Sequence, residues 1–318
     1  AGPIVRYHDV AHQLAQRTRT SERILQGLWR FALGLAKKVL IANTLGQAAD
    51  TAFSASASSG GLSAEVAWLG ILCYAFQIYF DFSGYSDMAI GLGRMFGFDF
   101  LENFNAPYIA ENFTDFWRRW HISLSNWMRE YLYFPLGGNR AGPGRTAVNL
   151  WIVFLISGLW HGAAWNFVVW GLFHGVFLSL DKYTHEAQAR APRLVRIALT
   201  FILVNIGWVF FRAETLTDAM QFLASMIGIA AEPAPLQVVD LMDNLAWCTL
   251  LFAAVACAVP VFAPSLQISE WHIEPHPQQP QRTIGPLYAR TALIALALML
   301  CTMMIVVGGF NPFIYFRF

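Results

Sequence analysis

Apolar residues come in long runs along this chain of 318 residues, and short polar segments separate the runs. A run of about 20 apolar residues is long enough to cross a bilayer as a helix. Runs close to that length predict membrane spans at four places, residues 64–80, 194–211, 240–263 and 287–308. The pattern therefore predicts an all-α, polytopic integral membrane protein, because a helix satisfies its own backbone hydrogen bonds in lipid.

Two shorter apolar runs, residues 147–160 and 163–180, fall somewhat below the length of a comfortable span. They are either two short helices that meet near His161 or one bent crossing, and we favour a helical hairpin. Basic residues precede the first run and follow the second. The positive-inside rule then places both outer ends in the cytoplasm and His161 deep in the membrane or towards its far face.

Residues 22–49 predict a helix whose apolar pattern is broken by Arg30, Lys37 and Lys38. Such a helix is typical of the membrane interface, where its basic side chains face lipid headgroups. Residues 52–63, which are rich in serine, glycine and alanine, predict a loop.

Residues 113–131 carry aromatic and aliphatic side chains at spacings of three and four, which predicts one amphipathic helix. Asn112 is expected to cap its start, and Asp115 to stabilise its positive end. We expect this helix to lie in the interface or to re-enter the membrane. A second amphipathic helix is predicted over residues 214–228.

Hydrophobic residues make up 56% of the chain and charged residues only 13%, whereas a soluble domain carries about 25% charged residues. The net charge is +1 and no basic stripe is present, which argues against nucleic acid as a partner. Each of the four cysteines lies in an apolar run and no C-x-x-C motif occurs, so we expect buried, inert thiols.

Two histidine pairs have spacings that metal sites can use. His8 and His12 are one helical turn apart, and His272 and His276 lie in a proline-rich loop at residues 264–286. A solvated surface is the preferred interpretation of both pairs, so no metal site is predicted.

Polar residues continue directly from the predicted span at residues 64–80. Asp81, Ser83 and Asp87 occur there together with two glycines. Polar groups at membrane depth are tolerated where they are buried in protein or line a wet cavity. Contact between helices through small residues explains the segment equally well, and the two interpretations remain open.

Two histidines are the strongest candidates for chemistry. His161 interrupts a strongly apolar region, and an ionisable side chain in such a place indicates a functional site, with a structural histidine as the alternative. In a continuous helix Trp117, His121 and Ser125 would share one face, so His121 is expected to point towards the aromatic side. His174, 13 residues after His161, is expected to face elsewhere.

Several catalytic motifs are absent from the sequence. There is no G-x-S-x-G nucleophile motif, no Walker A loop, no dinucleotide-binding glycine loop and no cysteine in a polar, activating setting. A histidine base remains. Neutral imidazole, which apolar surroundings favour, can take the proton from a hydroxyl as that hydroxyl attacks an activated acyl group.

At these residues the chain resembles the membrane-bound O-acyltransferase (MBOAT) family, and within it the branch that O-acetylates bacterial polysaccharides such as alginate. The resemblance is carried by the segments Ala1 to Tyr7, Asp81 to Asp87, Phe116 to Ser125, Tyr131 to Arg140, Leu159 to Gly162, Gly207 to Arg212 and Phe313 to Phe318. In that family the first of these segments follows further helices. We therefore expect residues 1–318 to be a single MBOAT domain that lacks its N-terminal transmembrane helices.

The resemblance implies a bundle of transmembrane, re-entrant and interfacial helices around a central funnel or tunnel. It implies that His161 is the catalytic base and that His121 is the second family histidine, which would orient or polarise the acyl group. No permanently bound cofactor is implied. Acetyl-CoA or an acylated carrier would supply the acyl group from the cytoplasm of a bacterium, through its inner membrane. The acceptor would be a polysaccharide hydroxyl or a periplasmic partner protein.

We expect substrate binding or bracing of the cavity from a set of polar and aromatic residues around the two histidines: Asp81, Ser83, Asp87, Trp117, Ser125, Trp160 and Asn166. Two other classes of protein remain as alternatives. A transporter or flippase would also place polar residues at the membrane midplane, without making a bond. A purely structural membrane subunit would depend on neither histidine.

Overall fold

The computed structural model describes residues 2–140, 142–230, 234–263 and 284–308, and within these ranges the chain is helical and contains no β-strand. The helices are α1 (Tyr7–Ala15), α2 (Ser21–Ala36), α3 (Asn43–Ser59), α4 (Ala64–Met95), α5 (Phe113–Arg119), α6 (Ile122–Met128), α7 (Gly142–His161), α8 (Trp165–Arg190), α9 (Arg193–Arg212), α10 (Leu216–Met226), α11 (Val238–Leu241), α12 (Asn244–Phe262) and α13 (Ile284–Gly308). A π-helical segment, Lys37–Ala42, joins α2 to α3 without a break, and a second one, Arg129–Tyr133, extends α6.

Within the described ranges, three helices are long and apolar enough to cross a membrane, namely α4, α9 and α12. These correspond to three of the predicted spans. The fourth predicted span lies in α13, where the described apolar stretch is the shorter segment Thr291–Val307. The all-α, membrane-embedded class predicted from the sequence is confirmed.

Helix α2 packs along α4 through paired glycines. A Cβ added at Gly34 would lie 2.4 Å from the carbonyl oxygen of Gly84, and one added at Gly27 would lie 2.5 Å from that of Gly91. Backbones can approach this closely only where side chains are missing.

The loop predicted over residues 52–63 is wrong for most of its length. The helix continues to Ser59 because its alanines and serines pack against α4, as Ala52 does at Gly70.

The basic residues of this helix do not face headgroups, which corrects the interfacial interpretation. Arg30, Lys37 and Lys38 are buried. Lys38 Nζ lies 2.6 Å from an oxygen of Asp81, and Lys37 Nζ lies 2.6 Å from an oxygen of Asp87. Arg30 also contacts Asp87, and its guanidinium pairs with Glu102 as well. Three cations from α2 and the π-helical segment therefore pair with two carboxylates of α4 and with Glu102, which lies in the segment after α4.

Helices α7 and α8 form the predicted hairpin. Their backbones touch at Gly158, where a Cβ would lie 2.3 Å from the carbonyl oxygen of Phe167, and at Gly171, where it would lie 2.3 Å from that of Phe154. Further from the turn, near the middle of both helices, the indole N–H of Trp151 donates to the hydroxyl of Ser179 at 3.0 Å. The two short runs are therefore separate antiparallel helices that reverse directly after His161.

The predicted helix over residues 113–131 begins as expected, because the Asn112 side chain accepts a hydrogen bond of 2.8 Å from the backbone N–H of Asp115. It then breaks between α5 and α6. His121 adopts the left-handed conformation, with φ of +44°. Tertiary hydrogen bonds to residues 103–105, which a helical period cannot reveal, hold this break in place.

The amphipathic helix predicted over residues 214–228 is confirmed as α10.

Aromatic side chains fill the core where α4, α5, α8 and α9 meet. Trp120 packs against Trp208 with ring centroids 4.8 Å apart and against Phe104 at 5.0 Å. Trp208 also contacts Phe211 at 5.6 Å. This aromatic packing forms one wall of the cavity that the two histidines line.

The cysteines agree with the expectation only in part. Cys73 and Cys301 are buried, but Cys248 is exposed on α12, a helix apolar enough that its outer face can meet lipid. Among the described residues, no group of three or more His, Cys, Asp or Glu side chains is placed to hold a metal ion. His272 and His276 lie outside the described residues.

Candidate active site

His161 is placed by the hairpin turn. It is the last residue of α7, and residues 162–164 reverse the chain into α8. Its ring meets Phe211 edge to face at a centroid distance of 5.0 Å and Trp170 at 5.3 Å. The residue is half-buried. Within the described part of the chain its ring nitrogens have no hydrogen-bond partner, so both can act on a bound substrate.

His121 lies in the same region as His161. It stands at the break between α5 and α6, where its left-handed backbone turns the imidazole into the core. The residue is 3% exposed and its ring meets Phe82 edge to face at 4.6 Å. Burial lowers the pKa of His121 well below its ordinary value, so the side chain is neutral at physiological pH.

The two histidines line one small cavity. Trp117 belongs to the same lining, so the structure brings three of the predicted site residues together. The remaining lining residues are apolar or aromatic: Ile78, Trp120, Leu124, Trp170, Trp208 and Phe211. Trp170 also offers a hydrogen-bond donor, because its indole N–H has no acceptor among the described residues. An enclosed, largely apolar cavity with two imidazoles suits proton transfer away from bulk water.

Four predicted site residues lie elsewhere. Asp81 and Asp87 form the ion pairs with α2 and the π-helical segment, and Ser83 is buried on the same helix, α4. None of these three is in the cavity lining. Ser125 lies in α6, one turn after the break, and is also absent from the cavity lining. The contact of small residues, one of the two interpretations of this α4 segment, is present at Gly84 and Gly91.

The two predicted residues that flank the hairpin turn have different positions. Trp160 is 55% exposed, although its ring touches that of His161 at 4.9 Å. Asn166 is buried and donates a hydrogen bond of 2.7 Å to the carbonyl oxygen of Ala213. Asn166 therefore ties the hairpin turn to the end of α9 and is absent from the cavity lining.

Two residues outside the predicted set of site residues contact the lining. His174, expected to face elsewhere, is fully buried, and its Nδ1 accepts a hydrogen bond of 3.2 Å from the indole of Trp117. Asn103 is 1% exposed and contacts His121, with 3.0 Å between Oδ1 and Nδ1. A histidine in an apolar helix was a usable signal for His174, whereas Asn103 sits in an ordinary loop with no local signal.

Apolar helices long enough to span a bilayer, around a cavity that two histidines line, are the features of a membrane protein with a candidate site inside its helical bundle. The sequence profile of the membrane-bound O-acyltransferase family, MBOAT, matches residues 1–216. The chain therefore belongs to this family of acyltransferases.

Several curated relatives are similar over much of the chain. A probable alginate O-acetylase AlgI of Pseudomonas syringae pv. tomato is 40% identical, and the match covers 100% of this chain and 68% of the relative. The probable alginate O-acetylase AlgI of Pseudomonas aeruginosa is 48% identical over 72% of this chain and 43% of the relative. A peptidoglycan O-acetyltransferase of Helicobacter pylori is 45% identical over 72% of this chain and 44% of the relative.

Proposed function

We propose that this chain carries the acyl-transfer site of a polysaccharide O-acetyltransferase. The observation that carries the proposal is that His121 and His161 line one enclosed aromatic cavity. The names of the relatives, which are O-acetylases of alginate and of peptidoglycan, support a polysaccharide hydroxyl as the acceptor. A periplasmic relay protein is the alternative acceptor, and a bacterial inner membrane is the setting that either acceptor requires.

The site supplies a base and no side-chain nucleophile. The acyl group must therefore arrive already activated, as a thioester. The acceptor hydroxyl oxygen attacks the carbonyl carbon of the thioester while His161 takes the hydroxyl proton. The carbon–sulfur bond then breaks, the new ester leaves, and the thiolate receives the proton from His161. Acetyl-CoA or an acylated carrier in the cytoplasm would supply this thioester.

The carbonyl oxygen gains negative charge during the attack, and a buried donor lowers the energy of that state. Trp170 lines the cavity and has an N–H without an acceptor among the described residues, so it suits this role. A transport function would instead need a polar path through the bundle. Asp81 and Asp87, the acidic residues best placed for such a path, are committed to ion pairs with Lys38 and Lys37.

The test is polymer O-acetylation in cells that express the full-length protein, wild type against His161→Ala, with membrane abundance measured by blotting. We expect acetylation to fall by about 100-fold or more, because general-base catalysis contributes about 10²–10⁴. His12→Ala is the matched control, since His12 is exposed on α1. Normal acetylation by the His161 variant at equal abundance would contradict the proposal.

A further inference from the structure

Residues 103–105 run beside the break between α5 and α6 and bind it through the backbone. The N–H of Asn105 donates to the carbonyl oxygen of Arg119 at 2.9 Å, and the N–H of Ile122 donates to the carbonyl oxygen of Asn103 at 2.9 Å. The first amides of a helix have no partner within it. Asn103 therefore caps α6 from a separate segment of the chain and fixes the position of His121 directly before it.

The orientation of the Asn103 amide follows from its neighbours. The backbone N–H of Ser123 lies 3.2 Å from one atom of the amide, and because an N–H can only donate, that atom is the oxygen Oδ1. The Ser123 hydroxyl accepts from the N–H of Ile4 at 2.9 Å and donates to the same Oδ1 at 2.8 Å. On the other side, Nδ2 donates to the Ser86 hydroxyl at 2.9 Å.

This orientation determines which nitrogen of His121 carries the proton. Nδ1 lies 3.0 Å from the Oδ1 of Asn103. A carbonyl oxygen can only accept, so Nδ1 must carry a hydrogen. The neutral imidazole has one such hydrogen, which leaves Nε2 with a free lone pair.

We infer that Asn103 is a positioning residue that holds His121 as the Nδ1-protonated tautomer and presents Nε2 to the cavity as a hydrogen-bond acceptor. The catalytic meaning of this inference rests on the proposed acyl transfer. In this tautomer His121 receives an O–H or N–H of a reacting group and cannot donate to the acyl carbonyl. Polarisation of the carbonyl then falls to another donor, such as the indole of Trp170.

The tautomer can be measured without any enzymatic activity. Full-length protein labelled with ¹⁵N-histidine would be studied in lipid bilayers by solid-state NMR, with His121 assigned by difference from His121→Gln. We expect a protonated Nδ1 and an unprotonated Nε2 in the wild type. In Asn103→Leu, also compared with its own His121→Gln counterpart, the Nδ1–H preference should be lost.

The kinetic arm uses the same proteins with a thioester donor and a polysaccharide acceptor. For Asn103→Leu we expect kcat to fall by about 10- to 100-fold with little change in KM, because the tautomer is wrong while the cavity wall is intact. Asn205→Leu is the matched control. Asn205 is also 1% exposed, and its amide donates only within α9, to the carbonyl oxygen of Phe201 at 2.8 Å.

Asn103→Asp keeps the acceptor oxygen and adds a negative charge beside His121. We expect it to retain the Nδ1–H tautomer, and the pH at which kcat/KM changes should move upward, because a neighbouring carboxylate favours the protonated imidazole. Among the described residues, His161 is the titratable group that shares the cavity. The Phe82 ring that packs on His121 is uncharged, and so are Ser86 and Ser123, which hold the Asn103 amide.

The outcomes separate the two proposals. An Nε2-protonated His121 in the wild type, or an unchanged tautomer and kcat in Asn103→Leu, would overturn the role of Asn103. A wild-type protein with the expected tautomer but no acyl transfer to any hydroxyl would instead contradict the proposed function and leave the role of Asn103 in setting the tautomer standing.

Discussion

His174 accepts a hydrogen bond from Trp117, with 3.2 Å between the indole Nε1 and the imidazole Nδ1. The bond joins α5 to α8 across the core, and it fixes an aromatic ring that lines the cavity. The ring of Trp170 also packs on His174, at a centroid distance of 4.8 Å. His174 thus supports the cavity wall from behind without itself facing the substrate.

The variant His174→Leu tests this supporting role. It leaves the Trp117 N–H buried without an acceptor, which costs about 1–3 kcal/mol. We expect a lower melting temperature and a higher KM for the thioester, with a smaller change in kcat. In a double-mutant cycle with Trp117→Phe, the two effects should be clearly less than additive, because both variants remove one bond. Full additivity would show that the bond does not couple the residues.

Gly84 provides a test of the close packing between α2 and α4. A Cβ at this position would lie 2.6 Å from the carbonyl oxygen of Gly34, so the two backbones must separate in Gly84→Ala. We expect a loss of about 1–3 kcal/mol of stability, seen as reduced membrane abundance and a lower melting temperature. Gly144→Ala is the control, since a Cβ there meets open space at the start of α7. Equal stability of both variants would contradict the packing argument.

The ion pair between Lys38 and Asp81 makes a third prediction. Both side chains are buried, at 8% and 2% exposure. Lys38→Met alone leaves a buried carboxylate facing an apolar side chain, which costs about 3–5 kcal/mol. Adding Asp81→Asn removes that charge, so the double variant should recover much of the lost melting temperature. A double variant less stable than Lys38→Met would show that Asp81 is stabilised mainly by other contacts.

The periodic and apolar features of the sequence were sufficient to predict most of the fold. The predicted spans at residues 194–211 and 240–263 correspond to α9 and α12, because a long apolar run in lipid satisfies its backbone hydrogen bonds by forming a helix. The Asn112 cap and the α7–α8 hairpin were also predictable, since both depend on neighbours in sequence.

The misassigned segments depend on partners that are distant in sequence. Residues 52–59 are helical because alanine and serine fit closely against α4, although their composition is that of a loop. Lys37 and Lys38 are buried because they pair with carboxylates that lie more than 40 residues away in the sequence. The break at His121 depends on Asn103 and Asn105, which bind it across the core.

The candidate site also has residues that the sequence could indicate and one that it could not. His121 and His161 could be singled out because each is an ionisable residue among aromatic and aliphatic neighbours. Their meeting in one cavity depends on tertiary packing, which the resemblance to a family implied and the spacing of residues did not. Asn103 could not have been found from the sequence, because its importance lies entirely in which atoms surround its amide.

The tip of the α7–α8 hairpin carries two exposed tryptophans, Trp160 at 55% and Trp165 at 74%. Tryptophan is enriched at the level of lipid headgroups, where one edge of the ring can meet water. The turn that holds His161 is therefore expected at the boundary between lipid and water rather than at the bilayer centre. Under the proposed acyl transfer, a polymer too large to enter the bilayer could remain in water and place one hydroxyl at a time at the mouth of the cavity, where the half-buried His161 lies between the water and the aromatic lining.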